Sequence, residues 1–278
     1  MPHPLLNITK IDTLPEAYLA RIGDIFTTFS QQDSGNVAYG VNVGGERFFV
    51  KTAGAPDNPL PYLNHPQRVE LLRNAVELFH SCDHPALVPL RHVIEESPQG
   101  PVLVYDWVDG ELLGVPREER SLPTSSYQCF RSLPAGEIVA ALDVLFDLHR
   151  HLVAKGWIAC DLYDGCLLYN FPTRQLRIID LDTYHRGPFT NTMGEMFGSS
   201  RFMAPEEHIL GAPIDERTTV FTLGRMVSEF LSDGTLQREA FLGSDMQFAI
   251  MTHACQEKRE ERFGTVAEMC DKWFTLRR

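Results

Sequence analysis

The chain has 278 residues, 44% of them hydrophobic and 22% charged, an ordinary soluble globular balance with ample length for a sizeable core. A formal net charge of −12 argues against non-specific binding to nucleic acid. No apolar run reaches the roughly 18 residues that a membrane span needs, and the N-terminus lacks the basic start and apolar stretch of a secretory signal. Six cysteines (Cys82, Cys129, Cys160, Cys166, Cys255 and Cys270) are scattered without a CxxC pair, which suggests reduced, buried thiols in a cytoplasmic protein.

In chain order, Val37–Val43 alternates as a strand, Gly44 and Gly45 make a turn, and Arg47–Thr52 returns. A loop rich in Pro, Asn and Gly is expected from Gly54 to Pro66. Val69, Leu72, Val76 and Phe79 recur at helical spacing and predict a helix over Gln67–Ser81. Val88–Ile94 and Pro101–Trp107 read as strands, and Asp109-Gly110 ends the β-rich part.

Gly136–Ala154 carries Ile138, Ala141, Leu142, Leu145, Leu148 and Leu152 on one helical face. Leu167–Tyr169 and Leu176–Ile179 are expected as short strands, and Asp182 to Arg201 as an irregular stretch. Helical segments are expected around Glu206 and over Thr219–Leu231 and Thr265–Leu276. Strands first and helices later predict an α+β protein, with a β-rich part over 1–108 and a mainly helical part over 109–278.

Several short motifs stand on these elements. Phe48-Phe49-Val50-Lys51 puts a cation at a strand end, downstream of Ser30-x-Gln32-x-x-Gly35-x-Val37. Glu70 and Glu77 share a face of the following helix, and His84-Pro85-Ala86-Leu87-Val88 comes after it. Tyr105-Asp106-Trp107-Val108 ends a buried strand. Further on come Asp161-Leu162-Tyr163-Asp164-Gly165-Cys166, then Ile178-Ile179-Asp180-Leu181-Asp182, then Gly198-Ser199-Ser200-Arg201-Phe202-Met203-Ala204-Pro205-Glu206. Glu261-Arg262-Phe263-Gly264-Thr265 closes the series. A cation for phosphate, a carboxylate for Mg²⁺ and a carboxylate near an attacking hydroxyl are what phosphoryl transfer needs.

In order and spacing this series resembles the protein-kinase superfamily over nearly the whole chain, closest to Ser/Thr protein kinases of a divergent bacterial type. The resemblance implies a two-lobed fold that binds ATP and Mg²⁺ and acts on a protein substrate. It implies Lys51 on the phosphates with Glu70 as its partner, although Glu77 also lies nearby. It implies Gly35 and Val37 in the loop over the nucleotide, the backbone of Asp106 to Val108 against adenine, and Tyr105 in the gatekeeper position. Asp161 would accept or orient the hydroxyl proton, and Asp180 would hold Mg²⁺. Glu206 would pair with Arg262.

The sequence departs from the family pattern at several positions. Ala159 and Cys160 replace the usual His and Arg, Tyr163 a lysine, Cys166 an asparagine and Thr219 an aspartate that anchors the catalytic loop. Cysteine is a poor ligand for Mg²⁺, which is hard and wants oxygen. Asp182 either compensates, because residues two apart in an extended stretch face one side, or only caps a turn; Asp164 is the second candidate. Without the usual Arg, a phosphate on Thr190, Thr192, Ser199 or Ser200 lacks its standard receiver, so activity is expected not to depend on phosphorylation there. An active kinase, a nucleotide-binding pseudokinase and a small-molecule phosphotransferase are the three functional classes open, in that order.

Overall fold

The computed structural model describes residues 3–32, 34–57 and 63–275. The chain divides into two compact units, Met1–Asp83 with Val88–Asp109, and His84–Leu87 with Gly110–Arg278.

The first unit opens with helix α1 (Pro15–Ile22), whose first turn holds a proline but no side-chain cap. Strands β1 (Asp24–Phe29), β2 (Val37–Val43) and β3 (Glu46–Thr52) follow. Helix α2 (His65–Ser81) and strands β4 (Leu90–Ile94) and β5 (Val102–Asp106) complete it. The strands form one antiparallel sheet in the order β1-β2-β3-β5-β4. One face buries Tyr39, Val41, Phe48, Val50, Val102 and Val104 against Leu5, Ile11, Tyr18 and Leu19.

Two elements here escaped the sequence reading. Helix α1 has only eight residues and lacks a side-chain cap, and no residue of β1 is fully buried. The start of α2 was also placed late. Asn64 accepts from the Gln67 amide and Gln67 Oε1 from the Asn64 amide, a capping box that starts the helix at His65 with Pro66 in its first turn. The middle of the expected loop over 54–66, and Leu276 at the end of the last expected helix, lie outside the described residues.

The second unit contains β6 (Glu111–Leu112), α3 (Ser126–Arg131), α4 (Ala135–Ala154), β7 (Trp157–Ile158), β8 (Leu167–Asn170) and β9 (Gln175–Ile178). After these come β10 (His185–Arg186), β11 (Phe189–Thr190), β12 (Pro213–Ile214), α5 (Glu216–Leu231), α6 (Asp245–Ala254) and α7 (Val266–Thr275). Strands β6, β8 and β9 make a small antiparallel sheet, while β10 pairs with β7 and β11 with β12.

The stretch from Asp182 to Arg201 is thus not wholly irregular, because two short strands tie it down. The helix expected around Glu206 is a single 3-10 turn, Pro205–His208. Helix α5 is buried along almost its whole length from Thr218 to Leu231 and forms the centre of the unit. Trp273 of α7 packs edge-on against Phe146 of α4, and its Nε1 donates to Asp143 at 2.7 Å. The architecture is α+β, with a five-stranded antiparallel sheet in the N-terminal part and helices in the C-terminal part. No helix among the described residues is long and apolar enough to cross a membrane.

Candidate functional site

In the second unit the β8–β9 hairpin builds the acidic site. Leu167 pairs with Ile178 at its open end, and the Ile179 amide donates to the Cys166 carbonyl at 2.9 Å. This bond joins the turn after Asp161 to the stretch before Asp180. Asp161 and Asp180 both adopt left-handed backbone, with φ 56° and 61°. Non-glycine residues rarely accept that conformation, so the surrounding structure must hold it.

Both carboxylates act on the same two groups. The Cys166 thiol is raised well above its ordinary value by burial first, then by the charges of Asp180 and Asp161. The Tyr163 hydroxyl is raised by burial and then by Cys166, Asp161 and Asp180. The protonated thiol of Cys166 donates to the Asp161 carbonyl at 3.4 Å. It is therefore a hydrogen-bond strut for the turn, unsuited to a hard cation.

Several buried bonds fix this turn from behind. The Ala159 amide donates to Thr219 Oγ1 of α5 at 3.1 Å, and Thr183 Oγ1 donates to the Cys160 carbonyl at 2.9 Å. Threonine at 219 thus anchors this turn from the position where the resemblance implies an aspartate. One step further back, His149 Nδ1 donates to the Leu145 carbonyl and Nε2 accepts from the Tyr184 hydroxyl, each at 2.8 Å. Burial pushes His149 down to about 4, so the ring is neutral.

One of the expected metal ligands does other work. Asp164 is 1% exposed and bound by the Arg201 guanidinium at 2.5 Å, so its carboxylate is already committed to a cation. Asp182 is 5% exposed, whereas Asp180 is exposed. The extended geometry that would aim the two together is absent, because the backbone turns left-handed at Asp180.

The A-P-E segment is anchored as the motif implies. Arg262 grips Glu206 with both terminal nitrogens, Nη1 to Oε1 at 2.7 Å and Nη2 to Oε2 at 2.9 Å. Its other donors go to the carbonyls of Gln256, Arg217 and Glu257, and Thr218 Oγ1 donates to Glu206 Oε1. The next residue, Glu207, is pushed up to about 7 by burial, against the hydrogen bond it accepts from the Ala204 amide.

In the first unit, Lys51 lies on the central strand β3 between Ala38 of β2 and Leu103 of β5 and is 5% exposed. Alternation along β3 puts it on the face opposite Phe48 and Val50, together with Phe49. Val37 packs with the core on the other face, so the strand period places Ala38, not Val37, beside Lys51. Glu70 is an exposed charge 3.8 Å from Arg73, not a buried partner for Lys51.

Gly35 has a local reason to be glycine. Its φ is +84°, and a Cβ there would lie 2.5 Å from Nη1 of the fully buried Arg68. Arg68 donates to the carbonyls of Gly35 and Ala55 and so pins the loop before β2 to α2. Tyr105 is buried, with its ring against Phe49 and Phe79. The Asp106 and Trp107 amides are spent on the carbonyls of Pro89 and Arg47. Among the described residues Val108 makes no backbone hydrogen bond.

Outside these sites, His84, Asp147 and His151 bring ligand atoms within 4.8 Å of one another. His84 Nδ1 accepts from the Ala86 amide, which leaves the ring proton on Nε2, pointed at Asp147 Oδ2 at 3.1 Å. His151 Nδ1 donates to the Asp147 carbonyl. The protons already sit where a metal would bind.

Glu229 and Arg68 belong to none of the sequence motifs, and the contacts that Arg201 and Thr219 make are not legible in theirs; each acts through contacts between segments far apart in sequence. No protein-family model matches the chain, and no curated protein does.

Proposed function

We propose that the protein is an ATP-dependent phosphotransferase of the protein-kinase type, with a two-lobed kinase-like fold, which moves the γ-phosphoryl group to a hydroxyl of a protein substrate. The observation that carries this reading is that Asp161 and Asp180, both left-handed, stand on two segments joined by the Ile179–Cys166 hydrogen bond. The sheet order β1-β2-β3-β5-β4, with a buried lysine on its central strand, supports it. So does the bidentate Glu206–Arg262 pair beneath the A-P-E segment.

Asp161 orients the acceptor hydroxyl and takes its proton as the oxygen–phosphorus bond forms and the bond to the ADP oxygen breaks. Lys51 supplies positive charge to the phosphates, and the Val108 backbone meets the adenine edge. Asp180 would hold Mg²⁺, which when bound neutralises phosphate charge. Neither Cys166 nor Asp164 contributes to that metal, which leaves a sparse ligand set.

The test is incubation with γ-labelled ATP and Mg²⁺, comparing wild type with Asp161→Ala and Asp180→Ala. Label transferred to protein by wild type and lost in both variants is the expected result. Transfer that survives both substitutions rejects the assignment.

A second reading, nucleotide binding without transfer, draws on Tyr163. Its ring covers Gly165 so closely that a Cβ there would lie 2.3 Å from Cε2, and it stands where the kinase resemblance implies a lysine. ATP binding with no γ-phosphate turnover would establish that reading.

A further inference from the structure

Arg201 bridges two buried acids in the second unit, and the proposed chemistry does not use it. Its Nη2 donates to Asp164 Oδ2 and its Nη1 to Glu229 Oε1, both at 2.5 Å. Asp164 opens the 3-10 turn Asp164–Cys166, three residues after Asp161. Glu229 stands in the last turn of α5 and also accepts from the Tyr127 hydroxyl of α3 at 2.6 Å. Arg225 Nε holds the Arg201 carbonyl at 2.7 Å. One guanidinium therefore ties the segment before Ala204-Pro205-Glu206 to the Asp161 turn and to the central helix.

The chemistry of the three groups favours a lock. Asp164 and Glu229 are buried, with side chains 1% and 7% exposed, so neither tolerates an unpaired charge. Burial raises the Asp164 carboxyl, and the charges of Arg201 and Arg120 pull it back. Arginine keeps its charge when half-buried and presents donors in a fixed fork, so it can bridge two acids where a lysine serves one. No phosphate takes part in the lock, and Ser199 and Ser200 stand next to it in the chain.

We propose that Arg201 is a positioning residue that holds the Asp161 turn and the 198–206 segment in their working arrangement, so that phosphorylation of that segment is not required. This rests on the phosphotransfer reading above. The position of Asp161 would depend on an internal cation that is always present, rather than on an added phosphate. A phosphate on the exposed Ser200 would compete with Asp164 and Glu229 for the same guanidinium and slow turnover.

The test compares wild type, phosphatase-treated wild type, Arg201→Gln, Ser200→Asp and the neutral triple variant Arg201→Gln/Asp164→Asn/Glu229→Gln. The triple variant keeps shape and hydrogen-bonding capacity, so it guards against a single variant that merely fails to fold. The expected result is a fall of at least about tenfold in kcat for the triple variant, equivalent to about 1.4 kcal/mol, with the KM for ATP unchanged. Phosphatase treatment should leave wild-type turnover intact, and Ser200→Asp should not raise it. A triple variant with wild-type kcat, activity lost to phosphatase, or activity raised by Ser200→Asp each overturns the proposal.

Amide hydrogen exchange separates this inference from the reading beneath it. If wild type transfers no phosphate at all, the phosphotransfer reading fails. Faster exchange across residues 159–166 in Arg201→Gln still supports the lock, and unchanged exchange there removes it.

Discussion

Arg262 and Arg201 are both guanidiniums held by carboxylates within the second unit, and they differ in what they hold. Arg262 is wholly enclosed, meets one carboxylate face to face, and gives its remaining donors to three backbone carbonyls. Arg201 keeps about a fifth of its side chain exposed and divides itself between two acids on different segments. The first arrangement is saturated and can only be intact or broken. The second joins the turn that carries Asp161 to a segment rich in hydroxyls, so a competing anion can shift it. A difference in saturation, rather than in charge, separates an anchor from an adjustable contact.

The harshest way to probe that difference is Glu206→Ala. It strands the Arg262 charge inside the protein and should cost about 3–5 kcal/mol of unfolding free energy, read by denaturant titration. A loss under about 1 kcal/mol would mean that water reaches Arg262 and that the two arginines are alike.

Legibility in the sequence follows the same line. The Glu206–Arg262 pair could be read because both partners sit in motifs of recognisable order. The sheet and the long helices could be read because burial imposes a period of two or of 3.6 residues. Val37 was misplaced by one residue, and in a strand one residue is the whole difference between faces. Spacing alone does not reveal that the backbone turns left-handed at Asp180, or that an arginine 37 residues further on takes Asp164. Arg201, Glu229 and Thr219 act through tertiary contacts between segments far apart in sequence, which no local spacing reports.

A gentler probe is Thr219→Val, which keeps shape and removes the acceptor of the buried Ala159 amide. An unsatisfied buried amide costs about 1–3 kcal/mol. If the Asp161 turn relies on several anchors, phosphotransfer should fall together with stability, while Thr219→Ser retains both. Wild-type activity in the valine variant would leave Arg201 as the dominant support.

Glu207 couples the two sites by its field, since it lies next to Glu206 and its carboxyl is also raised by Asp161. Its folded-state value of about 7 lies above the ordinary 4.5, so the folded protein binds a proton that the unfolded chain has released. That contribution is fully favourable below about 4.5 and is lost as pH rises towards 7, a change of about 3 kcal/mol. His149 has the opposite sign. Its value is depressed from 6.5 to about 4, so its neutral burial costs stability as pH falls through that window. The two slopes oppose each other in wild type. Glu207→Gln should therefore lose stability on acidification from pH 6.5 to 4.5 relative to wild type. Parallel profiles for the two proteins would show Glu207 ionised throughout, held by the Ala204 amide.

The smallest effect is expected at His84, Asp147 and His151, where the comparison extends to a cluster of one acid and three bases. Asp147 accepts from His84 and from Arg150, whose Nη2 lies 3.0 Å from Oδ1, and its backbone carbonyl takes the His151 Nδ1 proton. The acid is thus surrounded by donors, like Glu206 and unlike Asp164. A zinc ion needs the ligating nitrogen of each ring deprotonated, but the Ala86 amide fixes the His84 proton on Nε2, on the side a metal would occupy. Binding would have to turn the ring and forfeit that amide bond. Zinc added in excess should leave the melting temperature unchanged, whereas saturation at a hundredfold over the dissociation constant would add about 2.7 kcal/mol. A rise with zinc that vanishes in His84→Ala would show that the ring turns, and that saturation by hydrogen bonds does not by itself make a cluster rigid.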